Sequence, residues 1–165
     1  MVIIEGIDGV GKTTLVDYFV QNGMNKFHFD YDSKNMDLIT KYMNILKFET
    51  QQLILDRSFI SEMVYGPVIR GKCKLTIEDY KDLLIQYEKV GTSIIYLSAP
   101  KEILLSRRKN DSNDFEVIKN FYDELSEYYL RLMSFSKDYI EVLEIDTDIY
   151  NREEVQEKAK RLLLR

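Results

Sequence analysis

The sequence predicts an α/β fold, a three-layer sandwich in which a five-stranded parallel sheet carries helices on both faces. Three observations predict it. Short apolar runs of strand length alternate with longer stretches of helical periodicity, the rhythm of βα units. A glycine-rich turn follows the first apolar run and opens the first helix. Only Pro67 and Pro100 interrupt the 165 residues, and no internal repeat or low-complexity segment divides them, so one domain over residues 1–165 accounts for the chain.

Taken in order, the apolar run Val2–Glu5 is the first strand, without the polar alternation of a strand that faces water. The first helix covers residues 11–21 and stops at Asn22-Gly23, where glycine accepts the left-handed turn that ends a helix. Residues 26–31, Leu53–Asp56, Ser93–Ser98 and 142–145 are the remaining strands, each suited to burial in a parallel sheet. Thr76 is the N-cap of a helix that carries Ile77, Tyr80, Leu83, Leu84 and Tyr87 on one face and closes at Gly91. Residues 114–133 space Phe115, Ile118, Tyr122, Leu125, Tyr129 and Leu132 three and four apart, the stripe of a helix packed on a core. Asn151 with Glu154 starts the last helix as a capping box does, and its Val155, Ala159, Leu162 and Leu163 face the sheet.

Composition narrows the function classes. A net charge of −5 argues against a nucleic-acid-binding surface, so any anionic ligand must meet a local cluster of Lys and Arg. Cys73 is the only cysteine, which rules out an intrachain disulfide; flanked by Lys72 and Lys74, it reads as an inert thiol in a reducing cytoplasm. No signal-peptide pattern opens the chain, and no apolar run nears the ~20 residues that span a bilayer, so a membrane partner is not expected.

The chemistry starts at Gly6-Ile7-Asp8-Gly9-Val10-Gly11-Lys12-Thr13, which fits G-x-x-x-x-G-K-[ST] between a strand and a helix. Such a loop binds a triphosphate. Gly6, Gly9 and Gly11 let backbone N–H groups of Asp8, Gly9, Val10 and the helix start through Thr14 turn toward phosphate, and Lys12 reaches the β- and γ-phosphates. The Thr13 hydroxyl is placed to ligate Mg²⁺, and ATP with Mg²⁺ is the expected ligand pair. In a parallel sheet the crevice lies at the carboxyl ends of the strands. There the third strand delivers Asp56, a second candidate for holding Mg²⁺.

The residues after Asp56 carry a family resemblance. Arg57, Ser61 and Tyr65 follow it at one, five and nine positions, and an Arg70-Gly71 pair comes later. With the phosphate loop, this register resembles the thymidylate kinase group, and the order of elements agrees along the whole chain. The resemblance implies a P-loop kinase fold and transfer of phosphoryl from ATP to a nucleoside monophosphate. It implies that Arg57 grips the acceptor phosphate, that Asp8 meets the acceptor sugar near the transferring group, and that Tyr65 packs against C2′ and disfavours ribonucleotides. Ser61 and Arg70 join the acceptor site, with Arg70 read equally as a phosphate ligand or a loop cap. Members that lack a basic residue at the position of Gly9 take an arginine from a mobile lid, and Arg107 and Arg108, in a lid over residues 107–114, match it. Such kinases often pair through helices, which makes a homodimer the implied assembly, although no face here is distinctive.

The chain also departs from the group. Only 44 positions separate Lys12 from Asp56, and the first arginine is Arg57, so the arginines that follow strand two and read thymine have no counterpart; Lys34, Lys41 and Lys47 are candidate substitutes. Gly66 stands where many members carry a thymine-pairing glutamine, and Glu62 stands where a small polar residue is usual. A carboxylate accepts from an exocyclic amino group and cannot donate to a carbonyl. A shortened, phage-type kinase of 2′-deoxynucleoside monophosphates with an amino-bearing base is therefore expected, unless Glu62 points to solvent. Two alternatives remain. A deoxynucleoside kinase would need a general base to activate a 5′-hydroxyl, from Asp30, Asp32 or Asp56, and a non-catalytic nucleotide-binding protein would use the phosphate loop alone. His28, Asp30 and Asp32 alternate along one strand, a pattern more typical of a sheet edge than of a metal site.

Overall fold

Strand β1 (Val2–Glu5) is wholly buried because it occupies the middle of the sheet. The computed structural model describes residues 1–29, 37–48 and 52–163. Its five strands, β1, β2 (Asn25–His28), β3 (Leu53–Asp56), β4 (Ser93–Ser98) and β5 (Glu141–Asp146), all run parallel in the order β2-β3-β1-β4-β5. The register aligns their carboxyl ends: His28 lies beside Asp56, Asp56 beside Ile4, Glu5 beside Tyr96, and Ser98 beside Asp146. Every loop that leaves those ends therefore opens on one edge of the sheet, as the sequence predicts for the crevice.

Two expected strands differ in character. β2 covers residues 25–28 and is largely exposed, because it is an edge strand with a neighbour on one side only. Of its predicted extension through Tyr31, Phe29 is not strand, and Asp30 and Tyr31, with the following Asp32, lie outside the described residues. β5 is the opposite edge, and it buries Ile145 while leaving Glu141 and Glu144 exposed.

The helices among the described residues are α1 (Lys12–Gln21), α2 (Leu38–Ile45), α3 (Phe59–Arg70), α4 (Ile77–Glu88), α5 (Lys101–Arg108), α6 (Ser112–Ser136) and α7 (Arg152–Leu163). Local signals set their ends. Thr76 and Asp79 form a reciprocal capping box at the start of α4, and the Asn151 side chain accepts from the N–H groups of Glu153 and Glu154 at the start of α7. α6 begins two residues earlier and ends three residues later than its apolar stripe predicts, since Asp111 caps it through the Asp114 N–H at 3.3 Å. The predicted lid segment is thus mostly helix, with only residues 109–111 joining α5 to α6. None of these helices is long and apolar enough to cross a membrane.

Much of the core is aromatic. Phe59 is fully buried, and its ring meets those of Tyr42, Tyr80 and Tyr87 at 5.7, 5.5 and 5.1 Å. Burying a tyrosine requires a partner for its hydroxyl. Tyr80 pairs with the Ser136 hydroxyl at 2.7 Å, and Tyr87 donates to the Tyr42 carbonyl at 2.9 Å. Tyr129 reaches from α6 to Glu5 at 3.0 Å, which ties the helix after the α5–α6 turn to the end of the central strand.

Candidate active site

The phosphate loop sits where its sequence requires. Gly6 has φ 142°, and a Cβ there would fall 2.2 Å from the Leu97 carbonyl oxygen, so the loop can pack on β4 only without a side chain. α1 starts after Gly11 with no side-chain cap among the described residues, which leaves its first N–H groups directed at the crevice, an arrangement that favours an anion. Lys12 is buried, and its ammonium donates to the carbonyls of Gly6 and Ile7 at 2.7 and 3.0 Å and to Asp8 Oδ1 at 3.3 Å. Burial lowers its pKa, opposed by Asp8. Gly9 has the close neighbour that matters: a Cβ there would meet Arg108 Cγ at 3.2 Å. The bare glycine lets Arg108 lie directly over the loop.

Asp8 is the hub of the site. Its carboxylate accepts from Lys12, from the Arg57 guanidinium, and from the Tyr65 hydroxyl at 3.2 Å. Burial works against the charged form, but Lys12 and Arg57 together hold the Asp8 carboxyl well below the usual carboxylate range. Burial also opposes the charge on Arg57, and Asp8 outweighs it, so the guanidinium stays protonated. Arg57 stacks over the Tyr65 ring at 5.3 Å. It also has φ 69°, the only non-glycine among the described residues in the left-handed region.

Beneath this layer lies a second one that sequence reasoning missed. Glu5 is fully buried, and its carboxylate accepts from Ser58 at 2.8 Å, Ser61 at 2.7 Å and Tyr129 at 3.0 Å. Burial pushes its pKa up, partly offset by the serine hydrogen bonds. A carboxylate ending an otherwise apolar buried strand was the available signal. Ser58 also caps α3 through the Ile60 N–H at 3.2 Å, so Glu5 indirectly fixes the start of the helix that follows Arg57. Ser61 gives its only proton to Glu5 and can present only an acceptor toward a ligand.

Asp56, at the end of β3, holds both Lys26 at 2.9 Å and His28 at 3.1 Å on Oδ2. Burial would raise its pKa, and these two partners lower it. The two arginines at the end of α5 have separate places. Arg107 donates to Thr147 Oγ1 and O, both at 2.9 Å, and to the Gly9 carbonyl at 3.3 Å, clamping α5 to the β5–α7 loop. Arg108 pairs with Asp111 and Asp114 at 3.7 and 3.5 Å.

Two cavities open at the carboxyl edge of the sheet. The larger, about 580 Å³, is lined by the phosphate loop including Val10, Thr13 and Thr14, by Asp56, Arg107 and Arg108, and by Thr147, Tyr150 and Arg152, the last three unforeseen from the sequence. The smaller, about 320 Å³, is lined by Phe29, Leu38, Lys41, Tyr42, Ser61, Glu62, Tyr65 and Arg70. Asp8, His28 and Arg57 line both and mark where they meet. The sequence places His28 in an edge-strand pattern, and its position at the junction follows from the β2–β3 register.

Further candidate residues lie around the smaller cavity. Glu62 does not point to solvent: it is 6% exposed, accepts from Arg70, and takes the Lys74 N–H at 3.2 Å. Arg70, read equally as a phosphate ligand or a loop cap, pairs with that carboxylate. Of the lysines considered as substitutes for missing arginines, Lys41 lines the smaller cavity, Lys47 pairs with Asn44 on the surface, and Lys34 lies outside the described residues.

Comparison with known proteins follows the same lines. The chain is 26% identical over 180 residues to the probable thymidylate kinase 1 of Saccharolobus solfataricus, covering 87% of this chain and 93% of that protein. No protein-family model matches it. The YorR protein of Bacillus subtilis, solved in complex with phosphorylated GDP, has the same fold with a TM-score of 0.83 at 18% identity, over 99% of this chain and 95% of that one. The deoxyadenosine kinase of M. mycoides, solved with bound dCTP, gives a TM-score of 0.60 at 17% identity, over 98% of each chain. The solved structures establish the α/β fold, and together with the thymidylate kinase relative they support a P-loop nucleotide kinase.

Proposed function

We propose that the chain is a thymidylate-kinase-like enzyme that transfers the γ-phosphoryl group of ATP to the 5′-phosphate of a 2′-deoxynucleoside monophosphate whose base bears an exocyclic amino group, giving the diphosphate and ADP. The observation that carries this reading is the meeting of two cavities at Asp8, His28 and Arg57, with Lys12 lining the larger cavity and both Lys12 and the Arg57 guanidinium paired to Asp8. In the reaction an acceptor phosphate oxygen forms a bond to the γ-phosphorus. The bond to the β–γ bridging oxygen breaks, and its electron pair leaves with ADP. Lys12 and the α1 N–H groups hold the donor phosphates, Arg57 holds the acceptor phosphate in line, and Arg108 supplies positive charge over the transferring group.

The state of the carboxylates favours a monophosphate over a nucleoside acceptor. A hydroxyl acceptor needs a base, whereas an ionised phosphate already presents its nucleophile. Among the described carboxylates that line the cavities, Asp8 is engaged by Lys12, Arg57 and Tyr65, and Asp56 by Lys26 and His28, and both are held in the charged, weakly basic state, while Glu62 is taken up by Arg70 and the Lys74 N–H. Glu5 lines neither cavity. Tyr65 is held by Asp8 and Arg57 in the smaller cavity, and in this reading its ring crowds a 2′-hydroxyl.

Thr13 and Asp56 line the same cavity and offer a hydroxyl and a carboxylate, the oxygen donors that Mg²⁺ takes together with phosphate oxygens. Mg²⁺ held there would offset charge on the β- and γ-phosphates. The test is ADP release with Mg²⁺ and ATP across 2′-deoxynucleoside monophosphates, their ribonucleotides and the free nucleosides. Turnover of deoxynucleoside monophosphates at least tenfold above the other two classes is expected, and turnover confined to nucleosides would overturn the reading.

A further inference from the structure

Two charged side chains in the smaller cavity pair with each other. Glu62, one turn into α3, is buried, and Arg70, the last residue of that helix, folds back over Gly66 to reach its carboxylate. The fold-back depends on the glycine. A Cβ at Gly66 would sit 3.3 Å from Arg70 Nη2 and 2.9 Å from the Lys72 carbonyl oxygen, so a larger residue there would displace both. Phe29 and Tyr42, whose rings lie 4.8 Å apart, line the same cavity and offer flat apolar surface to a planar ring.

We infer that the Glu62–Arg70 pair reads the base of the acceptor and that this base is guanine, an inference that rests on the smaller cavity being the acceptor pocket. The argument is a match of donors and acceptors. Glu62 Oε2 accepts from Arg70 and Oε1 from the Lys74 N–H, and a carboxylate oxygen has two lone-pair directions, so each keeps one for a ligand. The pair therefore offers two adjacent acceptors followed by a guanidinium donor. Guanine alone among the common bases presents the complement along one edge: the 2-amino group, the N1–H and the O6 carbonyl. Adenine and cytosine place an unprotonated ring nitrogen beside their amino group, so the second carboxylate oxygen would face a lone pair. Thymine places two carbonyls around a single N–H and meets the carboxylate with repulsion.

The experiment measures kcat/KM for dGMP, dIMP, dAMP, dCMP and dTMP at saturating Mg·ATP, and calorimetric affinities for the same five ligands in the wild-type enzyme. A bidentate base contact corresponds to roughly 10- to 100-fold discrimination, so dGMP is expected to exceed dAMP, dCMP and dTMP by that factor. dIMP, which keeps N1–H and O6 but lacks the amino group, should fall between. Glu62→Gln should lower kcat/KM for dGMP by a similar factor and shrink the preference for dGMP over dTMP. Preference for dAMP, dCMP or dTMP in the wild-type enzyme, or equal affinities for all five, would overturn the guanine assignment. Because calorimetry reads base preference without turnover, absence of turnover with every monophosphate would count against the kinase reading instead.

Discussion

At the scale of residues, Arg57 carries the largest share of the account. A non-glycine side chain at φ 69° costs on the order of 1–2 kcal/mol, and the ion pair with Asp8 and the stacking on Tyr65 hold it there. Replacing Arg57 by Ala removes the acceptor grip but keeps the strained backbone, while Gly removes both. Both variants should lose at least about 100-fold in kcat/KM, chiefly through KM for the acceptor, and the Gly variant should melt above the Ala variant. A Gly variant that melts lower would show that the conformation stores no strain. Asp8 sets a pH expectation. Its folded pKa lies below the unfolded value of about 3.9, so its contribution to stability is present above that value and lost only as pH falls through the folded one. Near pH 6 Asp8 stays ionised, and the acid limb of kcat/KM should follow the second ionisation of the acceptor phosphate, about 6 for a phosphate monoester. A thiophosphate acceptor with a lower pKa should move that limb down; a limb that stays in place would assign it to the protein.

At the scale of elements, the turn from α5 into α6 divides the work of two arginines that adjoin in sequence. Arg107 clamps the β5–α7 loop, and Arg108 lies on Gly9 with Asp111 and Asp114 behind it. Arg108→Ala should lower kcat by on the order of 10³ with little change in acceptor KM, whereas Arg107→Ala should lower the melting temperature and raise KM for ATP. Stopped-assay kinetics and calorimetry on the two single variants separate these roles, and equal kcat losses would refute the division. The sequence could not reveal it, because a run of three basic residues does not say which one the helix turns toward the loop. Gly6, Gly11, Lys12 and Thr13 stand out in the sequence because the phosphate-loop pattern fixes each of them by local spacing. The Glu62–Arg70 pair does not, since it spans eight residues and depends on the missing side chain at Gly66. Asp56 could be picked out, but its partners Lys26 and His28 come from strand register, which no local pattern encodes.

At the scale of the whole molecule, the alternation of strands and helices was enough to predict a parallel sheet and to place the crevice at its carboxyl edge. The order β2-β3-β1-β4-β5 was not readable, and that order brings Asp8, His28 and Arg57 together from three different strand ends. It also makes β2 an edge strand, where the polar residues Asn25, Lys26 and His28 can face water. The proposed function has a donor in the larger cavity and an acceptor in the smaller one exchange a phosphoryl group at their junction. The most direct test supplies the enzyme with Mg²⁺, ATP labelled at the γ-phosphate, and equimolar 2′-deoxynucleosides and 2′-deoxynucleoside monophosphates, then resolves the products. Label in the β-phosphate of a deoxynucleoside diphosphate, lost in Lys12→Ala and Arg57→Ala, is the result predicted; label in a deoxynucleoside monophosphate, or in inorganic phosphate alone, would contradict it.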